Sequence, residues 1–227
     1  MPSNTVIIAA LATVAAISGA ASGNTLAVST FDTGDEGWIA QAGPLGTPYA
    51  VNWNPTGGVP SGHLGYQDAT MQDYEWFSAS STFLGNGDFS QAVNNGGVSF
   101  DWSANIGMPG QNVQLAFVSN YAGGSILWTE TTAQVGSGWS HYDFALDLTT
   151  TWLIEVGSST VYATSADLAG VLSSVDGLYI TADTLIGMDG SCWLDNPTIY
   201  SVPAPGAIAL LGVASIVGTR RRRGTRS

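Results

Sequence analysis

The chain has 227 residues, of which 17 are acidic and five are basic, so its formal net charge at pH 7 is −12. All five arginines lie in the last eight residues, and residues 1–219 contain neither lysine nor arginine. Such a surface repels nucleic-acid phosphates, and it lacks the side chains that clamp phosphate or form Schiff bases. The composition therefore excludes nucleic-acid binding and predicts one acidic domain with shorter segments at its ends.

The N-terminal residues have the pattern of a secretory signal. Residues 5–21 form an apolar run, TVIIAALATVAAISGAA, that ends in small residues. A run of this kind with a small-x-small sequence, here Ser18-Gly19-Ala20, is typical of a signal peptide. We predict a signal peptide over residues 1–21 and export of the remaining chain. The alternative is a buried helix of the domain.

Between residues 25 and 201 the hydrophobic pattern has a period of two. Apolar and polar residues alternate over residues 98–102, 113–117 and 141–148. Alternation of this kind predicts half-buried strands, and the glycine-rich segments between them predict tight turns. We predict an all-β domain at residues 25–201, an antiparallel β-sandwich or jelly roll.

One short helix is predicted after residue 163. Thr164 or Ser165 can cap its N-terminus, and Asp167 lies in its first turn. Apolar residues recur along one face of this helix at intervals of three and four: Leu168, Val171, Leu172 and Val175.

Three groups of short segments follow one another in a recognisable order. They are Phe31-Asp32, Gly37-Trp38 and GGVPSGHL at 57–64; FLG at 83–85 and GGVSFD at 96–101; and ATSADL at 163–168 with Leu194-Asp195-Asn196. This order resembles the laminin B domain over nearly all of residues 25–201. The resemblance implies a galactose-binding-like jelly roll, a scaffold shared with many carbohydrate-binding modules, and a role in binding or adhesion.

Carboxylates near both ends of the domain suggest a cation site. Asp32, Asp35 and Glu36 lie in one early turn, and Asp195 with Asn196 opens the predicted last strand. Because the first and last strands of such jelly rolls often lie together, these oxygens could surround a hard cation. We predict that Asp32 and Asp195 are ligands of Ca²⁺. The alternative is that these carboxylates are simply solvated.

The tryptophans divide into core and surface candidates. Trp53 stands in a loop-like stretch before Pro55, and we predict that it is an exposed platform on which a sugar stacks. Trp128 and Trp152 are alternative positions for such a platform. Four others lie in strand-like or family-like positions and are predicted to fill the core: Trp38, Trp102, Trp139 and Trp193.

A divergent glycoside hydrolase is the enzymatic alternative. Its two carboxylates would face each other across a cleft at about 5–9.5 Å, and the candidate pairs are Asp73 with Glu75 and Asp143 with Asp147. Because each pair has even spacing, its members are expected on one strand face and in solvent. The sequence also has only two histidines and no Gly-x-Ser-x-Gly motif. We predict that the protein is not an enzyme.

The C-terminal residues, 202–227, have three parts in a fixed order. The parts are a motif of Val202, Pro203, Ala204 and Pro205, an apolar segment at 206–219, and an arginine cluster at 220–226 with Arg220, Arg221, Arg222 and Arg223. This order resembles the PEP-CTERM sorting signal, with Ala204 where glutamate is usual. The resemblance implies a transmembrane segment held by cytoplasmic arginines, and cleavage near the prolines by an exosortase-type sorting protease.

The sequence as a whole predicts a non-enzymatic protein, exported and transiently anchored in the membrane, then at the cell surface or in the extracellular matrix. Its expected partners are an extracellular polysaccharide, a matrix protein or further copies of itself. A dedicated carbohydrate-binding module, with or without calcium, is the second interpretation, and the glycoside hydrolase is the third.

Overall fold

The computed structural model describes residues 23–67, 74–105, 112–129, 138–183 and 190–203. The predicted signal peptide and residues 204–227 of the predicted sorting tail lie outside the described residues. Within the described ranges, the helices are too short to cross a bilayer.

Two helices and fourteen strands follow one another along the described ranges. They are β1 (Asn24–Val28), β2 (Ile39–Ala42), β3 (Pro48–Tyr49), β4 (Asn52–Asn54), β5 (His63–Gln67), β6 (Glu75–Ser78), α1 (Ser81–Leu84), β7 (Gly96–Ala104), β8 (Leu115–Ser119), β9 (Ser125–Thr129), β10 (Ser140–Ala145), β11 (Trp152–Val156), β12 (Ser159–Tyr162), α2 (Ser165–Leu172), β13 (Val175–Asp183) and β14 (Ser191–Ser201).

The strands form the two antiparallel sheets of a β-sandwich, which confirms the predicted fold class. Sheet A has the order β10-β7-β14-β5-β4, and β1 also pairs with β14. Sheet B has the order β12-β11-β9-β8-β13-β6-β2-β3. The first and last strands of the domain therefore lie together, as predicted.

The core lies between the sheets and follows the predicted alternation. Val98, Phe100 and Trp102 of β7 are buried, and Trp38 is buried as predicted. The alternation predicted over residues 141–148 was wrong at its end: β10 stops at Ala145, and Leu148 is 52% exposed.

The predicted helix is present as α2. Thr164 caps it, and its side chain and that of Asp167 form a reciprocal capping box with the backbone. The prediction was wrong at the C-terminal end, since α2 ends at Leu172 and Val175 begins β13. It was also wrong in giving the domain one helix. The four residues of α1 form a second helix, capped by Ser80.

The prediction that Asp195 opens the last strand was wrong. β14 begins at Ser191, and its pairing with β7 shifts register between Asp195 and Thr198. This bulge accommodates Pro197, which has no N–H for the ladder. The Pro197 carbonyl accepts the N–H of Ser29 at 3.0 Å. Asp195 therefore lies in the middle of sheet A.

Candidate functional site

An open cleft of about 530 Å³ lies on the part of sheet A formed by β4, β5 and β14. The residues that line it include three aromatic residues and three residues with amide side chains: Trp53, Tyr66, Trp193, Asn52, Asn54 and Gln67. Among the described residues that line the cleft, none carries a charged side chain.

Trp193 lies on the outer face of sheet A, so the prediction that it fills the core was wrong. Its neighbours in β14, Cys192 and Leu194, are buried and take the inward positions. Successive side chains of a strand point to opposite faces, so Trp193 points outward. The residue is half-buried and lines the cleft.

The indole of Trp193 rests on the bare backbone of Gly65, its partner in β5. A methyl group built on Gly65 would lie 3.1 Å from Cδ1 and 3.3 Å from Nε1 of Trp193, and 3.3 Å from the Asn54 amide nitrogen. Because Gly65 has no side chain, the ring can lie down on the sheet. Cδ1 and Nε1 of the indole therefore lie close to the Gly65 backbone, on the outer face of the sheet where the cleft lies.

Trp53 also lines the cleft, and it is 37% exposed. It lies in the edge strand β4, opposite Leu64, and its indole N–H donates to the Phe31 carbonyl at 2.6 Å. Because cross-strand partners share a face and Leu64 is buried in the core, the Trp53 ring lies on the face of β4 opposite to that of Trp193, and this bond holds it there. The role of Trp53 as a sugar platform stays a prediction.

Three polar side chains of the cleft are free for a ligand. Those of Asn52, Gln67 and Ser191 line the cleft and make no hydrogen bond to another described residue. An amide offers two N–H donors and one acceptor oxygen, and a hydroxyl offers both roles. The cleft therefore presents donors and acceptors beside its aromatic rings.

Tyr66 faces the core, like its cross-strand partner Cys192, and contacts a buried carboxyl group. Its hydroxyl donates to Oε1 of Glu75 at 2.7 Å, and Glu75 is fully buried. The expectation that Glu75 lies in solvent was therefore wrong, because its side chain faces inward beside Phe77 in β6. Its proposed partner Asp73 lies outside the described residues.

The second candidate carboxylate pair lies away from the cleft. Asp143 accepts the Tyr200 hydroxyl at 2.8 Å, and Asp147 accepts the Thr149 N–H at 2.7 Å. Asp143 is exposed, as expected, and neither residue lines the cleft. No described carboxylate of the cleft lining can therefore serve as a glycosidase acid or nucleophile.

Three other tryptophans occupy different environments. Trp139 is half-buried, donates to the Gly57 carbonyl at 2.9 Å and packs edge-on against His63, so its prediction as a core residue was wrong. Trp152 is buried in the core, so it is not an exposed platform. Trp128 lies half-buried on the outer face of sheet B.

Asp32 and Asp195 both bind the loop between β4 and β5. Asp195 is buried, and its Oδ2 accepts the Val59 N–H at 2.6 Å while Oδ1 accepts the Asn196 N–H at 2.8 Å. Asp32 is exposed, and its Oδ1 accepts the hydroxyl of Ser61. The two predicted calcium ligands are thus anchored to positions two residues apart in one loop.

The two carboxyl groups have opposite pKa shifts. Burial raises the pKa of Asp195 to about 6, although the N–H groups of Val59 and Asn196 oppose this, and the nearby charges of Asp101 and Asp32 add to it. Hydrogen bonds from the hydroxyls of Ser61 and then Thr30 hold the pKa of Asp32 below its ordinary value.

The metal prediction has no further support in the part of the chain that the structure describes. There, no three or more side chains of histidine, cysteine, aspartate or glutamate lie close enough together to hold an ion. Calcium binding by Asp32 and Asp195 stays a prediction.

Comparisons with known proteins identify the fold. No protein-family model and no curated sequence matches the chain. The L4b domain of human laminin α-2 superposes with a TM-score of 0.58 at 10% identity, covering 78% of this chain and 97% of the domain.

Two carbohydrate-binding structures are similar as well. The family 11 carbohydrate-binding module of a cellulosomal cellulase of Clostridium thermocellum gives a TM-score of 0.52 at 14% identity, over 81% of this chain and 96% of the module. A complex of a family 11 module from Clostridium thermocellum with a β-1,3-1,4-mixed-linked tetrasaccharide gives a TM-score of 0.50 at 14% identity. This superposition covers 79% of this chain and 96% of the module. The chain thus shares the β-sandwich jelly-roll fold of a laminin domain and of carbohydrate-binding modules.

Proposed function

We propose that this protein is a non-catalytic carbohydrate-binding module that holds a neutral polysaccharide in the cleft of sheet A. The observation that carries the proposal is the half-buried Trp193 on the outer face of sheet A, where its indole lies close to Gly65 and the residue lines the cleft. An indole held in this way offers a rigid apolar surface to the C–H face of a sugar ring.

The polar lining supports a sugar ligand. Sugar hydroxyls both donate and accept hydrogen bonds, and Asn52, Gln67 and Ser191 do the same. Specific binding sites for small molecules usually combine aromatic side chains with a few polar groups in fixed positions.

The charge of the chain favours a neutral ligand. Residues 1–219 have no lysine or arginine, and no charged side chain lines the cleft among the described residues. An anionic polysaccharide would meet net repulsion and no cationic partner. We therefore expect neutral polysaccharides to bind in preference to uronic-acid polymers.

Absence of catalysis is part of the proposal. Hydrolysis of a glycosidic bond requires two carboxyl groups on either side of that bond. The described cleft lining supplies amides where such a site would have carboxylates. The family 11 modules with the same fold are named as carbohydrate-binding modules, which agrees with a binding role.

Export to the cell surface is proposed on the sequence patterns at the two ends. The experiment is fractionation of cells with and without the sorting protease, followed by intact-mass measurement. Cleavage near Pro205 would give a surface product that contains no lysine or arginine. An intact arginine-rich C-terminus on the surface protein would contradict the processing step.

A second candidate is adhesion to a matrix protein, favoured by the likeness to the laminin α-2 domain. The two candidates differ in their ligand. A glycan array gives positive spots for the binding module and none for a protein-only adhesin.

The direct test measures glycan binding by calorimetry, with a mixed-linked β-glucan tetrasaccharide as the first probe and array hits as further probes. Trp193→Ala should weaken binding at least about 10-fold, which corresponds to roughly 1.4 kcal/mol. Trp53→Ala tests the second aromatic residue. The matched control is Trp128→Ala, which removes a half-buried indole from sheet B.

Unchanged affinity of Trp193→Ala for a glycan that binds the wild type would place the site elsewhere. Failure of the wild type to bind any array glycan would reject the proposed function.

A further inference from the structure

Strand β12 forms one edge of sheet B, and all four of its residues are exposed. Natural proteins protect exposed edges with short strands, prolines, charges or bulges, because an open edge adds a strand from another chain. The sequence of β12, Ser-Thr-Val-Tyr, has no charge and no proline, and its pairing with β11 has no register shift.

The other sheet ends carry such protection. β3 has two residues and begins with Pro48, and β4 has three residues and is followed by Pro55. β10 carries His141 and Asp143. β1, which pairs with β14 alone, has a register shift between Thr25 and Ala27. Among the edge strands of the two described sheets, β12 is therefore the longest one without a proline, a charge or a register shift.

The hydrogen bonds of the hairpin show which backbone groups of β12 point away from the sheet. The Ala163 N–H donates to the Trp152 carbonyl at 2.9 Å. Hydrogen-bonded pairs alternate along an antiparallel ladder, so Val161 and Ser159 also bond toward β11. The N–H and C=O groups of Thr160 and Tyr162 therefore point outward.

Each face of this edge carries one large exposed side chain. Val161 lies on the inner face beside the buried Ile154 of β11, yet it is 57% exposed. Tyr162 is 68% exposed on the outer face.

We propose that β12 pairs with β12 of a second copy of this chain, antiparallel and about a two-fold axis, so that sheet B continues across a dimer. Only residues 160 and 162 offer outward groups, so the register with the most bonds pairs Thr160 with the partner's Tyr162 and Tyr162 with the partner's Thr160. Val161 then lies opposite the partner's Val161. This inference is independent of glycan binding.

Charge does not oppose a second copy at this surface. The protein is acidic, and the four residues of β12 carry no charge. The nearest carboxylate in the hairpin is Glu155 of β11, opposite Thr160. Three strand spacings, about 14 Å, would separate the two copies of Glu155. This exceeds the screening length of about 8 Å at physiological salt.

The contact area sets the strength of the dimer. One pair of four-residue strands buries less than the roughly 1,000 Å² expected of a stable interface. The dimer should therefore be weak and concentration-dependent. The two-fold axis uses the same edge in both copies, so association stops at two.

The register is tested by disulfide trapping in the full-length protein. At a non-hydrogen-bonded antiparallel pair the Cα atoms lie about 4.5 Å apart, which a disulfide bridges at about 4.4–6.8 Å. Val161→Cys should give a crosslinked dimer under mild oxidation. The matched control is Ser159→Cys, whose symmetry mate would be about 13 Å away. The single native cysteine, Cys192, is buried.

The association itself is measured by sedimentation velocity over a concentration series. Thr160→Pro removes an outward N–H that β11 does not use, so it should weaken the dimer at least about 10-fold with the hairpin intact. Val161→Lys, an edge charge, should do the same. Leu148→Lys is the control, because Leu148 is similarly exposed but lies outside β12.

Three results would overturn the proposal. They are a wild-type chain that stays monomeric at every concentration, equal crosslinking of Val161→Cys and Ser159→Cys, and a dimer that Thr160→Pro leaves unchanged. Thermal unfolding of each variant shows whether loss of the dimer is separate from loss of the fold.

Discussion

The Asp195 carboxylate accepts the backbone N–H of Val59 at 2.6 Å and so ties the middle of β14 to the loop between β4 and β5. The next residue, Asn196, donates from its side-chain amide to the Val59 carbonyl. Asn196 adopts a φ of +51°, a left-handed conformation at the bulge of β14. Because β4 and β5 line the cleft, this bulge holds one wall of the candidate site.

Asp195 should make the protein less stable as the pH rises from about 4 to about 6. Its pKa in the folded chain is raised to about 6, against about 3.9 in an unfolded chain. The folded state therefore binds the proton more tightly, so this contribution is full below about pH 4 and lost above about pH 6. The free energy of unfolding changes by at most about 3 kcal/mol, because each pKa unit corresponds to 1.36 kcal/mol.

The measurement compares urea unfolding of the wild type and Asp195→Asn between pH 4 and pH 7.5, in the presence of a chelator. The substitution removes the titrating group, so the stability of the variant relative to the wild type should increase with pH. Glu155→Gln, which removes a half-buried carboxylate from sheet B, is the control. A difference between wild type and Asp195→Asn that stays constant with pH would contradict the expectation.

Thr164→Ala should destabilise the protein by about 1 kcal/mol. The Thr164 hydroxyl donates to Asp167 Oδ2 at 2.7 Å and accepts the Asp167 N–H, and the variant loses both bonds. The bonds from Thr164 also hold the pKa of Asp167 below its ordinary value, so the loss should shrink in acid. Chemical unfolding measures it, and Ser165→Ala, an exposed neighbour, should have little effect.

The fold could be predicted because apolar and polar residues alternate along the core strands. In β7, buried Val98, Phe100 and Trp102 alternate with polar residues, and the cap of α2 is a local pattern. The short α1 was missed because its four residues have no helical period to detect. Ser80 can be recognised as its N-cap only once the helix itself is known.

The candidate site was only partly predictable. Alternation in β14, with Cys192 and Leu194 inward, was a local signal that Trp193 faces outward. The role of Gly65 was not available from sequence, because it depends on the register between β5 and β14, more than 120 residues apart. Burial of Glu75 was missed for a similar reason, since its partner Tyr66 belongs to the opposite sheet.

Calcium should raise the melting temperature if Asp32 and Asp195 are ligands as predicted. A ligand that binds only the folded state at 100 times its dissociation constant stabilises by about 2.7 kcal/mol. The assay is thermal unfolding with and without calcium for the wild type and Asp32→Asn, and the variant should lose the shift. Asp88→Asn, which removes an exposed carboxylate outside this pair, is the control. A wild type that calcium leaves unchanged would refute the site.

Gly65→Ala should weaken glycan binding several-fold while the domain stays folded. The new methyl group would lie 3.1 Å from Trp193 Cδ1 and 3.3 Å from the Asn54 amide, so the indole and the amide must shift by a few tenths of an ångström. A displaced indole loses part of the contact with the sugar on which the proposed function rests. Calorimetric titration with the best array glycan measures the change, and thermal unfolding measures the fold.

Gly34→Ala is the matched control, because a methyl group on Gly34 meets no atom within 4 Å. It adds the same group to the same protein at a site that contacts neither Trp193 nor the cleft. If the Gly65 and Gly34 variants bind the glycan with equal affinity, the Trp193 ring only packs against β5 and does not contact the sugar. A selective loss in Gly65→Ala would assign the sugar contact to that ring.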